Sequence, residues 1–517
     1  MQRVRRIILL LIVCLLATTA FGQQPSSATD KIALKQQAGR LRSSLEQQLQ
    51  LKLDEWHRAG KFPGATLGVV LANGESFSLA VGYSDRNSKT PMRPTDRMLA
   101  GSVGKTFAAA TALQLGKEGK IGLDDKIEKY LGREPWFSRL PNAKDITVRQ
   151  LMNHTSGLVR YEFKEKFTRD LTANPEKRWQ PAELIAYLLD EKAPFAAGAG
   201  WDYSDTNYIV LGMIIEKVTG KIFYDEANRR LIKPLKLTNT IPQDGLKLAG
   251  VIQGYAGPNN PFGGKDEMIH AGKFIINPQF EWTGGGYAST AEDLARWAKM
   301  IYEGRAYSGD LLPQVLDGVP APMLGRETRY GLGVIIRKTA AGTSYGHSGF
   351  FPGYMTDMMY FPEQKIAVAV QVNTSVPRDL GKPLSRLLVE VVEIIKGGAG
   401  TEVSDPASPT SIYGVRWQLR RVKDTEVGET KAYLEFDEKS GRFSGDGGCN
   451  RVAGNFVVEG QNIRFSNTIS TKRACVDTRL QEIENEFLSS LAEVTQFALK
   501  DGLMLKAGDR AVLLLGN

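Results

Sequence analysis

Cysteine and histidine are scarce, three and four among 517 residues. So few thiols and imidazoles, with no CxxC or Cys/His ligand spacing, argue against a zinc site, and no pattern calls for another metal or a cofactor. No Lys/Arg run interleaved with aromatics occurs, so the formal charge of +9 is spread thinly, favours solubility and leaves no nucleic-acid footprint. Internal repeats and low-complexity tracts are missing too. With 42% hydrophobic and 24% charged residues, the chain is not disordered, collagenous or coiled-coil as a whole.

Long apolar runs are also lacking. The N-terminal one, Ile7 to Ala20, covers roughly 14 residues where a bilayer span needs about 20. It follows the basic stretch Met1 to Arg6, and Ala20-Phe21-Gly22 places small residues at the two positions a signal peptidase reads. Residues 1–22 are therefore expected to be a signal peptide cleaved after Gly22, which would export the mature chain to a periplasmic or extracellular space. Cys14 is apolar filler within that leader. An oxidising compartment would let the two remaining cysteines, Cys449 and Cys475, pair as a disulfide, with two buried thiols as the alternative.

What the chain does contain reads as an α+β arrangement. Leu41, Leu45, Leu49 and Leu53 recur every four residues in a helix from Lys35 to Ala59, which Phe62-Pro63-Gly64 stops. Ala65 to Ala72 and Ser76 to Tyr83 flank Asn73-Gly74 as a hairpin. A long helical stretch ends near Thr240 and contains the Leu211, Ile214, Ile215, Val218 face, stopped by Gly220. Tyr330 to Arg337, Tyr354 to Phe361 and Ile366 to Val372 read as strands, and Leu384 to Ile395 as a closing helix. Such an order implies one antiparallel sheet covered by helices from both ends of the sequence, plus a helical subdomain. These elements place a large domain at 23–397, a Gly/Pro-rich linker at 398–411 and a smaller domain at 412–517.

Three short segments could carry chemistry. Ser102-Val103-Gly104-Lys105 opens a helix and sets a hydroxyl and an amine three residues apart on one face. A helix N-terminus favours negative charge on such a serine, and a desolvated lysine could accept its proton. By itself the pattern more often marks a capping serine and a solvated lysine. Tyr203, in Tyr203-Ser204-Asp205-Thr206-Asn207-Tyr208, could relay a proton if positive charge from Lys105 lowered its pKa from about 10. The bland reading is an aromatic at a helix start, capped by Ser204 or Asp205. In His347-Ser348-Gly349, an edge strand would let a substrate approach at Gly349, and the amide of Phe350 could join that of Ser102 in holding an oxyanion. His347 could orient a carboxylate or stabilise charge near Tyr203.

In this order these segments resemble the serine β-lactamase and D-alanyl-D-alanine peptidase superfamily, in its class C β-lactamase, D-aminopeptidase and family VIII esterase branch. Ile146 to Leu158, ITVRQLMNHTSGL, and Thr283 to Thr290, TGGGYAST, are similar to further segments of that family. The resemblance spans roughly Leu41 to Ile395. It implies Ser102 as acylated nucleophile, Lys105 as its proton-transfer partner, Tyr203 as general base and acid, and His347 as the third motif's basic residue. The Ser102 and Phe350 amides would be the oxyanion hole, while Asp205, Asn207, Ser348 and Gly349 would face the substrate. His154 reads as structural. Phe443 to Asn450, Gly454-Asn455-Phe456, a helix near Glu482 to Leu491 and Trp417 resemble the META domain of envelope heat-shock lipoproteins, a small β-rich fold with one helix.

Two departures bear on substrate. Asp205 stands where relatives commonly carry asparagine, so an amide donor for the acyl-side carbonyl becomes an acceptor; Asn207 would substitute if the loop were shifted. The third motif starts with His347 instead of lysine. Both argue for an exported serine hydrolase of peptide-like amides or esters, with small molecules or cell-wall peptides as substrates and an envelope contact through the tail. The alternatives are a β-lactamase and a catalytically silent penicillin-binding-like scaffold.

Overall fold

The protein is described from a computed structural model that covers residues 28–399 and 412–516, except 259, 265, 414, 424, 428, 429, 439, 460, 472–477, 500, 501 and 509. Side chains are described from residue 42, those of 398, 399 and 459 excepted. The expected leader, residues 1–22, and Cys475 lie outside the described residues. Cys449 is disulfide-bonded. The chain divides into two compact units between Ala399 and Gly400.

The first unit is built on helices α1 (Ala28–Ala59), α2 (Lys105–Lys117), α3 (Asp205–Thr219), α4 (Ala291–Tyr302) and α5 (Leu384–Ala399). Its main strands are β1 (Gly64–Val70), β2 (Ser76–Asp85), β3 (Ile335–Thr339), β4 (Gly342–Phe351), β5 (Tyr354–Phe361) and β6 (Ile366–Val372). Among the described residues they form an antiparallel sheet in the order β2-β1-β6-β5-β4-β3, extended at its ends by two-residue strands. Neighbours β1 and β6 come from opposite ends of the unit, with Leu67 opposite Val370.

Period-two alternation divides the strand residues between two cores. Leu67, Val69, Val368 and Val370 face a layer made by Leu49, Leu53 and Trp56 of α1 and Leu387, Leu388, Val391 and Val392 of α5. Val70, Ala367, Ala369 and Met358 face the other way, toward α4 and the helical region. Each buried Leu or Val adds about 1.5–3 kcal/mol of transfer free energy, so the two layers fix the register of the sheet.

The expected long helical stretch is segmented. Short helices of four to nine residues, such as Val148–Met152 and Glu165–Ala173, precede the 15-residue α3. Prolines at 141, 175, 181 and 194 and glycines at 157, 198 and 200 supply the breaks. The expected strand Tyr330 to Arg337 is likewise broken at Gly331-Leu332-Gly333, where Gly333 adopts φ 76°, leaving Arg329–Tyr330 and β3.

In the second unit the described strands form a nine-stranded antiparallel sheet, and Trp417–Val422 also pairs with Arg510–Gly516, which closes the sheet on itself. Its one described helix, Thr478–Glu493, buries Ile483, Phe487 and Leu491 against Trp417, Leu419 and Leu434. Closure removes the edges that an open sheet would expose.

Candidate active site

Ser102 lies in a 3-10 turn, Gly101–Gly104, that runs straight into α2 at Lys105. Two close approaches shape this turn. A β-carbon on Gly104 would fall 1.5 Å from the Gly285 carbonyl oxygen, and one on Gly349 would fall 1.9 Å from the Ala100 carbonyl oxygen. Only glycine lets β4 and the glycine-rich loop 283–286 press so closely on the serine. Phe107 stacks on Trp297 of α4 at 4.2 Å, and the Trp297 indole donates to Thr106 at 2.7 Å, which fixes the first turn of α2.

Lys105 is completely buried. Its ammonium donates to the Ser102 hydroxyl at 2.9 Å and also to the Asp205 carboxylate and the Gly284 carbonyl, so all three of its protons are used. Burial alone would lower its pKa, but the Asp205 carboxylate outweighs burial and holds it above the usual lysine value. The expectation of a desolvated lysine whose pKa drops is thereby corrected: Lys105 remains a cation. Asp205, the first residue of α3, is buried at the positive end of that helix. Burial would raise its pKa, yet Lys105 and Arg160 keep it well below the carboxylate range.

The Tyr203 ring lies 4.9 Å from the Lys105 ammonium. Its hydroxyl is buried and makes no hydrogen bond of standard geometry, although Ser102 and Lys105 are close enough to lower its pKa. Burial is the stronger influence, and the pKa lies above that of a free phenol. The expected fall does not occur, because burial outweighs the lowering by Lys105 and Asp205 adds to burial.

His154 holds this tyrosine in place. Its ring packs 4.3 Å from that of Tyr203, and its Nδ1 meets the Ser204 amide at 3.2 Å and the Asn207 side-chain amide at 3.1 Å. Asn207 is 1% exposed and also accepts from the Ser156 hydroxyl. It does not reach the cleft, which corrects its expected contact with substrate: the helix turns Asn207 inward, where it braces the His154 loop.

Strand β4 pairs with β3 over residues 342–346 and with β5 over residues 345–351, so beyond Gly346 one edge is open. That open edge faces the serine turn, since a β-carbon on Gly101 would fall 2.6 Å from the Phe350 nitrogen. The backbones at Ser102 and Phe350 thus lie side by side at the cleft. His347 is 1% exposed. Its Nδ1 bonds the Ser348 carbonyl at 2.6 Å and its Nε2 the Tyr330 hydroxyl at 2.8 Å. The first contact requires Nδ1 to carry the proton, so Nε2 accepts from Tyr330. Burial, with Lys105 adding to it, pushes its pKa down to about 3. A neutral, doubly bonded imidazole does not supply the positive charge expected of it.

These groups line a cleft of about 1270 Å³ that includes Ser102, Tyr203, Asp205, His347, Ser348, Gly349 and Phe350. A hydroxyl, an ammonium, a phenol and two amides converging there can carry out acyl transfer. Among the described residues no group of His, Cys, Asp and Glu is arranged to hold a metal ion.

A family model described as Beta-lactamase matches residues 41–393, well over half of the chain. The chain belongs to the β-lactamase family. This family is a serine hydrolase superfamily, and its members' fold is the architecture of the first unit; a META domain matches residues 410–517. Among curated proteins, Protein flp of Staphylococcus aureus (strain MRSA252) is 27% identical over 267 residues, 50% of this chain and 49% of its own length. Penicillin-binding protein 4* of Bacillus subtilis (strain 168) is 24% identical over 302 residues, 55% of this chain and 62% of its own. The chain thus spans about half to three-fifths of these relatives. Among solved structures, a D-stereospecific amidohydrolase from Streptomyces sp. has a TM-score of 0.55 at 27% identity, covering 64% of this chain and 96% of that one. A D-amino acid amidase from Ochrobactrum anthropi SV3 shares the fold, with a TM-score of 0.58 at 24% identity over 69% and 100% of the two chains.

Three cleft residues of this β-lactamase-family protein escaped the sequence reading. Arg160 donates to Asp205 at 2.8 Å and to Glu162 at 2.5 Å. Glu162 is pushed well above its ordinary pKa by burial and by Asp205. Glu281 accepts from the Gln243 side chain at 3.1 Å beneath the 283–286 loop, and burial lifts its pKa to about 7. The loop itself is strained at Trp282, φ 39° and ψ −121°, where a non-glycine residue costs about 1–3 kcal/mol. That turn aims the Gly284 carbonyl at Lys105.

Proposed function

We propose that this protein is an exported serine hydrolase that acylates Ser102 with a peptide-like amide or small ester, preferring D-amino-acid or peptidoglycan-type substrates, and then passes the acyl group to water. The observation that carries the reading is the 2.9 Å contact between the Lys105 ammonium and the Ser102 hydroxyl, beside the buried phenol of Tyr203. The likeness to a D-stereospecific amidohydrolase supports the choice of substrate. Export rests on the pattern of residues 1–22, and residues 412–517 would serve as an accessory module for an envelope partner.

In this mechanism Lys105 stays protonated and stabilises the Ser102 oxygen as charge develops on it. The Ser102 oxygen bonds to the substrate carbonyl carbon while its proton moves to the Tyr203 oxygen. Tyr203 passes its own proton to the leaving nitrogen or oxygen, and the bond from that atom to carbon breaks. The phenol never ionises, which suits a hydroxyl whose pKa lies above its free value. The Ser102 and Phe350 amides hold the oxyanion. Water then takes the place of the leaving group, and the relay runs again to release the acid. His347 fixes the strand edge that carries Ser348, Gly349 and Phe350.

Turnover of 4-nitrophenyl butyrate, D-phenylalanine amide, a D-Ala-D-Ala peptide and a chromogenic cephalosporin tests the reading. Hydrolysis of the ester and a D-configured amide, lost in Ser102→Ala, is expected. Preferred cephalosporin turnover would favour a β-lactamase, and no turnover of any of them a silent scaffold.

A further inference from the structure

Asp205 takes the place of a side-chain amide that would donate to the acyl-side carbonyl of a substrate, and both its oxygens are taken, one by Lys105 and one by Arg160. Lys105 is saturated as well. The donor lost at position 205 must come from elsewhere if the cleft is to read an acyl-side oxygen.

Arg160 has the geometry for it. Its Nε is bonded to Glu162 and one terminal nitrogen to Asp205; the other terminal nitrogen, Nη1, has no hydrogen-bond partner among the described residues. The side chain lines the same cleft as Ser102 and keeps 28% exposure. The guanidinium rests 4.1 Å over the Phe163 ring and 5.4 Å from that of Tyr203. Phe163 is itself 71% exposed. Hydrogen bonds to the Glu162 and Asp205 carboxyl groups and an aromatic floor thus fix the plane of the guanidinium beside the reacting groups, and an anchored Arg loses little further entropy on binding.

The charge balance points the same way. One carboxylate, Asp205, is shared between the Lys105 ammonium and the Arg160 guanidinium. A guanidinium that shares its counter-ion and keeps one free terminal nitrogen can take a further anion, and its planar fork matches a carboxylate.

We propose that Arg160 is a specificity-determining residue whose free Nη1 binds an acceptor oxygen on the acyl side of the substrate, with acyl groups carrying a carboxylate bound most strongly. This deepens the hydrolase reading and rests on it.

The test compares the mono-4-nitrophenyl esters of glutaric and adipic acid with 4-nitrophenyl valerate and hexanoate, matched in chain length, after subtraction of spontaneous hydrolysis. The wild-type protein is expected to prefer the acidic esters by about tenfold or more in kcat/KM, chiefly through KM. In Arg160→Met the preference falls to about one, and in Arg160→Lys it stays intermediate. Hydrolysis of both series by the wild type without an acidic preference would overturn the proposal and leave the hydrolase reading intact. So would an equal loss on both series in Arg160→Met, which would mean that Arg160 acts only through Asp205. If Arg160→Met does not fold, the wild-type ratio and Arg160→Lys decide. No hydrolysis of either series and no labelling of Ser102 by a fluorophosphonate would instead sink the hydrolase reading itself.

Discussion

The Asp205 carboxylate is bonded directly to the Lys105 ammonium, 100 positions away in the chain, and both groups are buried. This pair decides the protonation state of the site. Burial would otherwise deprotonate the lysine, so the aspartate is what keeps it cationic beside the serine.

Replacing Asp205 by asparagine would leave the buried Lys105 ammonium without its bonded counter-charge and remove one of the two carboxyl partners of Arg160. The loss of one member of such a pair costs about 3 kcal/mol, so Asp205→Asn should lower the thermal midpoint. It also restores an amide donor. The ratio of cephalosporin to ester turnover should therefore rise, and steady-state kinetics showing an unchanged or lower ratio would contradict this account of the position.

Gly349→Ala puts a β-carbon where the Ala100 carbonyl oxygen already sits. The strand must retreat from the serine turn, and the Phe350 amide moves with it. Loss of one oxyanion donor costs about 10²–10³ in kcat. Ester hydrolysis should fall by that order while KM changes little; a variant within threefold of the wild type would show that the amide is not used.

His347 is neutral in the folded protein, with its pKa pushed down to about 3 by burial, whereas the unfolded chain takes up a proton near the ordinary value of 6.5. Its contribution to stability is therefore present above pH 6.5 and lost as the pH falls toward 3. At pH 4.5 the loss amounts to about 2–3 kcal/mol. His347→Gln removes it, so denaturant melts of variant and wild type should converge, or cross in the variant's favour, between pH 7.5 and pH 4.5. A constant difference across that range would count against a neutral His347.

Glu281 titrates in the opposite sense. Its folded pKa of about 7 lies above the ordinary 4.5, so the folded state holds a proton that the unfolded chain has released. Stability from this group falls as the pH rises from 4.5 to 7. Glu281→Gln keeps an acceptor for the Gln243 amide and removes the effect, gaining up to about 3 kcal/mol relative to wild type across that window. Parallel stability curves for the two proteins would refute the assignment.

Much of this was written in local sequence. Helical spacing put Ser102 and Lys105 on one face, and the hairpin residues around Asn73-Gly74 and the strand at Tyr354–Phe361 announce themselves by alternation and turn chemistry. Other features depend on residues that meet only in space. Arg160 and Glu162 carry no motif, and the one pointer to them is that the ITVRQLMNHTSGL segment runs almost to Arg160. Asn207 was misplaced because the two residues of helix rotation from Asp205, about 200°, carry a side chain from the cleft to the core. The pKa directions of Lys105 and Tyr203 could not be had without knowing that both are buried and that Asp205 lies against the lysine, since the sign depends on which of burial and neighbouring charge is stronger.

Intact-protein mass spectrometry with peptide mapping, after incubation with a fluorophosphonate and separately with 4-nitrophenyl butyrate quenched in acid, tests the central claim most directly. The account predicts one adduct per chain, located on Ser102, absent in Ser102→Ala and formed at least a hundredfold more slowly in Tyr203→Phe. An adduct on another residue, or labelling of Ser102→Ala at the wild-type rate, would contradict it.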